Sequence, residues 1–162
     1  MHITIFRRRF TPWGVDGTMV IYGFFFCGTV EHPKKFLPAG HYKIVLVPIR
    51  FQQGKEEFRT MPTILPVKDR VPKKSVLRKP YLKPGFGPFT LKYGSIVMGK
   101  SLKTGLVAYN EEKFQEFCDM ISEALQKKEK VTLVIKDWGK DYIPKEYMIV
   151  LPTNIPANNN RK

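Results

Sequence analysis

Three histidines, His2, His32 and His41, are the side chains of this sequence best suited to proton transfer or metal binding near neutral pH. None stands at helical or two-residue spacing from another ligand, so the sequence supports no metal site. His41 follows the turn Pro38-Ala-Gly40 and reads as the start of a strand, and His32, in the run Glu31-His-Pro-Lys-Lys35, reads as solvated. Glu56-Glu57 and Glu111-Glu112 are adjacent acids, yet nothing beside them would raise a carboxyl pKa as acid–base catalysis requires. Gly85, Gly87 and Gly94 lie among strands at the wrong spacing to cradle a phosphate, and no cofactor is expected. Cys27, in an aromatic run, and Cys118, on the apolar side of a helix, read as small buried hydrophobes. Two cysteines make no disulfide framework, which favours a reducing compartment.

The elements that would position these groups are mostly strands. His2–Phe6 reads as a short strand ahead of the basic triplet Arg7-Arg8-Arg9, and Asp16-Gly17 reads as a hairpin turn. Thr18–Gly28 is apolar on both faces, as one buried strand would be, with Gly23 marking a bulge or close approach. His41–Phe51 is a long β-branched strand whose Pro48 belongs at an edge or bulge. Glu57–Val67, Phe89–Met98, Val131–Ile135 and Asp141–Leu151 complete the strands. One helix follows Asn110, a good N-cap, with Glu111 and Glu112 in its first turn and Lys127 and Lys128 at its end. Its stripe is Phe114, Phe117, Cys118, Ile121 and Leu125. The expected fold is α+β and mostly β: an antiparallel or mixed sheet, or a partly open barrel, with this amphipathic helix packed on it. Residues 1–151 form one domain and 152–162 a polar tail.

Charge is the outlying property. The 162 residues carry a net +14, and an apolar share of 43% is still ample for a core. A surplus of that size calls for an anionic partner. Much of it lies in the segment 68–83, where Lys68, Arg70, Lys73, Lys74, Arg78, Lys79 and Lys83 face the single acid Asp69. Pro72 and Pro80 make that segment an exposed loop. No apolar run approaches the ~20 residues of a membrane span, and HITIF runs straight into the arginines, so no secretion signal is expected.

Thr18-Met-Val-Ile-Tyr22, Cys27-Gly-Thr-Val-Glu-His-Pro33 and Leu37-Pro-Ala-Gly-His-Tyr42 resemble, in that order, a small domain family of unknown function found in bacteria and their phages. That family shows G-x-L-Y, C-x-T-L-E-x-P and I-P-A-G-x-Y, then I-H-P-G-N and G-C-I-x-V-G. Leu82-Lys-Pro-Gly-Phe86 and Gly94-Ser-Ile-Val-Met-Gly99 match the last two, so the similarity covers roughly residues 3 to 137. Here the family's His, Asn and Cys positions carry Lys83, Phe86 and Ser95. The family's His/Cys pair resembles that of cell-wall transpeptidases, in which a thiolate attacks an acyl donor. Ser95 has no histidine in its motif, and Lys83 would act as a base only if burial lowered its pKa by several units from ~10.4.

The resemblance implies a phage setting and the basic loop an anionic partner. The expected function is therefore non-enzymatic: an auxiliary capsid- or tail-associated part of a phage particle, in the virion or the cytoplasm of a bacterial host. Its partners would be other protein subunits and, through the loop, nucleic acid. One alternative is a cell-wall-active acyl-transfer enzyme using Ser95 with Lys83. The other is a nucleic-acid-binding protein. For that, Phe24, Phe25 and Phe26 could stack bases, although they read more simply as core, and the helix is acidic on its exposed face.

Overall fold

Strands dominate the computed structural model of the chain, which describes residues 1–50, 58–71 and 79–137. They are β1 (His2–Thr11), β2 (Gly14–Ile21), β3 (Phe24–Glu31), β4 (Gly40–Arg50), β5 (Phe58–Pro66), β6 (Leu82–Pro84), β7 (Ile96–Lys103), β8 (Leu106–Ala108) and β9 (Thr132–Asp137). One helix, α1 (Glu111–Gln126), lies between β8 and β9. The sheet runs β5-β4-β9-β1-β2-β3-β7-β6, with β8 paired to β7. It is mixed: β1–β9 and β6–β7 are parallel, the other pairs antiparallel. Its two end strands, β5 and β6, almost meet, held by a Thr63–Tyr81 bridge and by Ile64 N–H donating to the Pro80 carbonyl at 2.9 Å. The result is a nearly closed barrel with one unsealed seam.

Period-two alternation fills this barrel. Ile3 and Ile5, Met19 and Ile21, Ile96 and Met98, and Leu133 and Ile135 point inward into one core with Leu82, Ile44 and Ile64. The helix lies against β4, β5, β6 and β7, the four strands that flank the seam. It thereby covers the part of the sheet left without full pairing. Asn110 Oδ1 accepts the Lys113 N–H at 3.0 Å, the cap expected of it. Phe114, Phe117, Ile121 and Ala124 are its buried face, while Cys118 and Leu125 are half-buried at the margin. At the other end Lys127 is the C-cap and Lys128 takes the left-handed conformation, φ 58°. There Glu129 N–H reaches the Ala124 carbonyl at 2.9 Å and Lys128 N–H the Leu125 carbonyl at 3.0 Å, which closes the helix.

Several local expectations are corrected. β1 does not stop at Phe6 but carries the arginine triplet on to Thr11. The first turn falls at Pro12-Trp13, and Asp16-Gly17 lies within β2. Thr18–Gly28 is two strands, because Tyr22 (φ 52°) and Gly23 (φ 83°) form a two-residue turn. Positive φ at both positions matches the twist of the strands that the turn joins. Phe24 and Phe25 are not core: they are 78% and 72% exposed, and only Phe26, at a register shift, turns inward to Phe117 (ring centroids 5.8 Å). Residues 89–95 form turns, and the strand expected there begins at Ile96. Pro48 lies beyond the β4–β9 pairing, which ends at Lys43, so it interrupts no ladder on that side. The expected strand Asp141–Leu151 and the tail 152–162 lie outside the described residues.

Candidate binding surface

β6 and β7 place the Leu82–Gly99 stretch. Their parallel register sets Leu82 against Ile96 and Lys83 against Val97. Leu82 is fully buried in the core, so Lys83 turns to the outer face. There Val97 joins Val30, Leu91 and Val107 in a smaller apolar cluster. Gly85 crosses Val97 closely, since a Cβ would stand 3.3 Å from both valine methyls. Phe86 is then fixed by its carbonyl, which accepts the Val107 N–H at 2.8 Å, and its ring stacks on Tyr109 at 5.5 Å. Phe89 meets His32 edge-on at 6.0 Å. Lys83, Phe86, Phe89, Thr90 and Val97 line an open cleft of about 450 Å³. Phe86 and Phe89 remain 63% and 64% exposed there. It offers aromatic faces with one cation.

Ser95 is elsewhere. It closes the turn Lys92–Ser95, whose Tyr93 (φ 59°) and Gly94 (φ 84°) are both left-handed, through its N–H to the Lys92 carbonyl at 3.0 Å. Its hydroxyl is buried and accepts the Tyr81 N–H at 3.0 Å, and it does not line the cleft that holds Lys83. Ile96 N–H donates to the Tyr81 carbonyl at 2.8 Å. Ser95 thus extends the β6–β7 pairing toward the seam.

The cations of the basic segment divide. Lys68 and Arg70 are exposed on the turn that leaves β5. Lys79 stands 4.0 Å from the Asp69 carboxylate, and Lys43 Nζ donates to the Asp69 carbonyl, so the two stems of the segment meet. Lys73, Lys74 and Arg78 lie outside the described residues.

Sequence reasoning missed a buried ion cluster. Arg7 continues the inward alternation of Ile3 and Ile5 and is 1% exposed. Its Nε and Nη2 donate to the two oxygens of Glu31 at 2.9 and 2.7 Å, and its Nη1 lies 3.5 Å from Asp137 Oδ1. Nη2 also donates to the Leu37 carbonyl, and the guanidinium lies 4.9 Å over the Phe36 ring. Burial alone would lower the Arg7 pKa; the charge and hydrogen bonds of Glu31, with Asp137, outweigh it and hold the group above its ordinary value. Tyr42, whose hydroxyl donates to the Pro38 carbonyl at 2.6 Å, has its pKa pushed up mainly by burial. Gly94 belongs to the same structure: a Cβ there would come within 2.7 Å of the Leu37 side chain. Glu31, Leu37 and Tyr42 therefore gather around Arg7, with Pro38 held by Tyr42 and Gly94 packed against Leu37. The signal in the sequence was the alternation Ile3-x-Ile5-x-Arg7 ahead of an acid that closes an apolar strand.

Burial pushes the Cys27 thiol up to about 12, which leaves it protonated at neutral pH, and Cys27 and Cys118 are not joined in a disulfide. Among the described residues no three His, Cys, Asp or Glu side chains gather as metal ligands, and no described helix is long and apolar enough to cross a membrane. Set against known families, curated proteins and solved structures, the chain matches none.

Proposed function

We propose that this chain works by binding rather than by catalysis, as a part of a larger assembly that meets an anionic partner through its basic segment. The assembly proposed is a phage particle, the setting that the resemblance implies, with other subunits or packaged nucleic acid as the anion. The observation that carries the reading is the fate of the two candidate reactive groups. The Ser95 hydroxyl is buried and taken by Tyr81, while Lys83 faces an open aromatic cleft apart from it. Nucleophilic catalysis needs a nucleophile within reach of a base and of oxyanion donors. Recognition needs only accessible cations and a shaped surface, which the exposed Lys68 and Arg70, the half-buried Lys83 and the rings of Phe86 and Phe89 supply.

The test is a titration of the full chain with duplex DNA and, separately, with poly-glutamate at several salt concentrations. The wild type should bind one of them, and for DNA log affinity should fall with log salt by about 0.9 per phosphate contacted. Replacing Lys68, Arg70, Lys79 and Lys83 by Gln should flatten that slope and weaken binding. A quadruple variant that binds both polymers like the wild type would sink the proposal.

A further inference from the structure

A second cationic cleft lies outside the basic segment. It originates in the arginine triplet. The β1–β2 register shifts between Arg7 and Arg9, so the triplet escapes strict alternation: Arg7 turns inward, and Arg8 and Arg9 are both exposed. Facing them is the β7–β8 hairpin, laid directly on the sheet where glycines remove the side chains in its way. A Cβ on Gly28 would lie 2.0 Å from Ser101 Oγ, and one on Gly105 2.4 Å from the Trp13 carbonyl. The hairpin tip is tied down twice, by Arg9 Nη1 donating to Thr104 Oγ1 and by Gly105 N–H donating to Asp16 Oδ1, each at 2.9 Å. Between strand and hairpin lies a cleft of about 250 Å³ whose lining holds Arg8, Arg9 and Lys103 against one carboxylate, Asp16, already engaged by Gly105.

We propose that this cleft holds the backbone of a single-stranded nucleic acid. Two guanidiniums and an ammonium, interspersed with the hydroxyls of Thr18 and Ser101, suit the several oxygens of a phosphate. Tethering the hairpin in advance lowers the ordering cost of binding. Apolar surface sits where bases would lie: Leu102 in the cleft wall is 57% exposed, and Trp13, against the hairpin tip, is 63% exposed. Cations along a groove flanked by an exposed aromatic are how proteins hold single strands without reading sequence. The small cleft admits a phosphate and its sugar but not a duplex. An acidic peptide would use the charges and leave Trp13 idle.

The experiment is fluorescence anisotropy of the full chain with a labelled oligo-dT of about 12 nucleotides, within the range that one small barrel covers. Arg8→Gln/Lys103→Gln, both exposed residues, should weaken binding at least tenfold at low salt. It should also reduce the log–log salt slope by about 1.4, two contacts at ~0.7 each. Trp13→Ala should cost about fivefold or more, and Trp13→Phe should restore most of that. In the background of the basic-segment quadruple variant, Trp13→Ala should still weaken oligo-dT binding by about fivefold or more, which separates this site from the first. No binding by the wild type, an unchanged Arg8→Gln/Lys103→Gln variant with a native melting profile, or displacement by poly-glutamate as effective as by unlabelled oligo-dT would each overturn the proposal.

Discussion

The buried interior has a charged end, made by Arg7, Glu31 and Asp137, and an apolar one, where Phe114, Phe117, Ile121 and Ala124 of the helix over the seam pack into the core. Both ends exclude water, yet they hold the fold by different rules. Hydrocarbon contact has no direction and scales with the area removed from water, so each side chain of the helix stripe contributes its own share. A buried ion cluster has direction and works only as a set, because any charge left alone has lost its hydration without gaining a partner. The apolar end should therefore weaken in steps, and the charged end should fail at once.

The largest effect expected is at the charged end. Arg7→Met leaves Glu31 and Asp137 buried beside each other and should lower the unfolding free energy by about 3–5 kcal/mol in urea titration. Removing the whole cluster, as Arg7→Met/Glu31→Leu/Asp137→Leu, should recover most of that loss, since apolar residues of similar volume carry no desolvation cost. A triple variant as unstable as Arg7→Met alone would mean that hydrogen bonds to loop 32–39, not paired charge, secure this end.

At the helix end, Ile121→Ala should cost about 2–5 kcal/mol, depending on how far the site collapses. Adding Phe117→Ala should deepen the loss, with no compensating combination. Recovery in that double variant would erase the contrast between the two ends.

The same contrast explains what could be read in advance. The helix was legible because its stripe, cap and acidic first turn all repeat a local rule, and the strand-rich class followed from β-branched alternation. The charged end was not, because its members come from residues 7, 31 and 137, and the alternation that turns Arg7 inward would by itself turn Arg9 inward as well. A register shift separates them, and register is a property of paired strands. Phe24 and Phe25 misled for a related reason: hydrophobicity suggested burial, but the turn at Tyr22-Gly23 carries them outside. At the candidate site, the glycines of Leu82–Gly99 were legible as a backbone framework. That Ser95 turns to Tyr81 and Lys83 to the aromatic cleft depended on the β6–β7 pairing.

The smallest effect concerns pH, and it too should touch one end only. His32 follows Glu31 in the loop whose Phe36 and Leu37 meet Arg7, and its Nδ1 accepts the Lys34 N–H at 3.0 Å. Partial burial, with the charges of Lys35 and Lys34, holds its pKa below the ordinary imidazole value of 6.5. The unfolded chain therefore takes up the proton more readily than the folded one. The stability this residue contributes is complete above that ordinary value and is lost as pH falls through it toward the lower folded value. Urea midpoints at about pH 7.5 and 5.5 should show a modest drop for the wild type, in the range where histidine titrates. His32→Asn, whose Oδ1 can accept the same N–H without titrating, should reduce that drop. Equal drops in the two proteins would remove His32 from the account and leave the charged end indifferent to pH in this window.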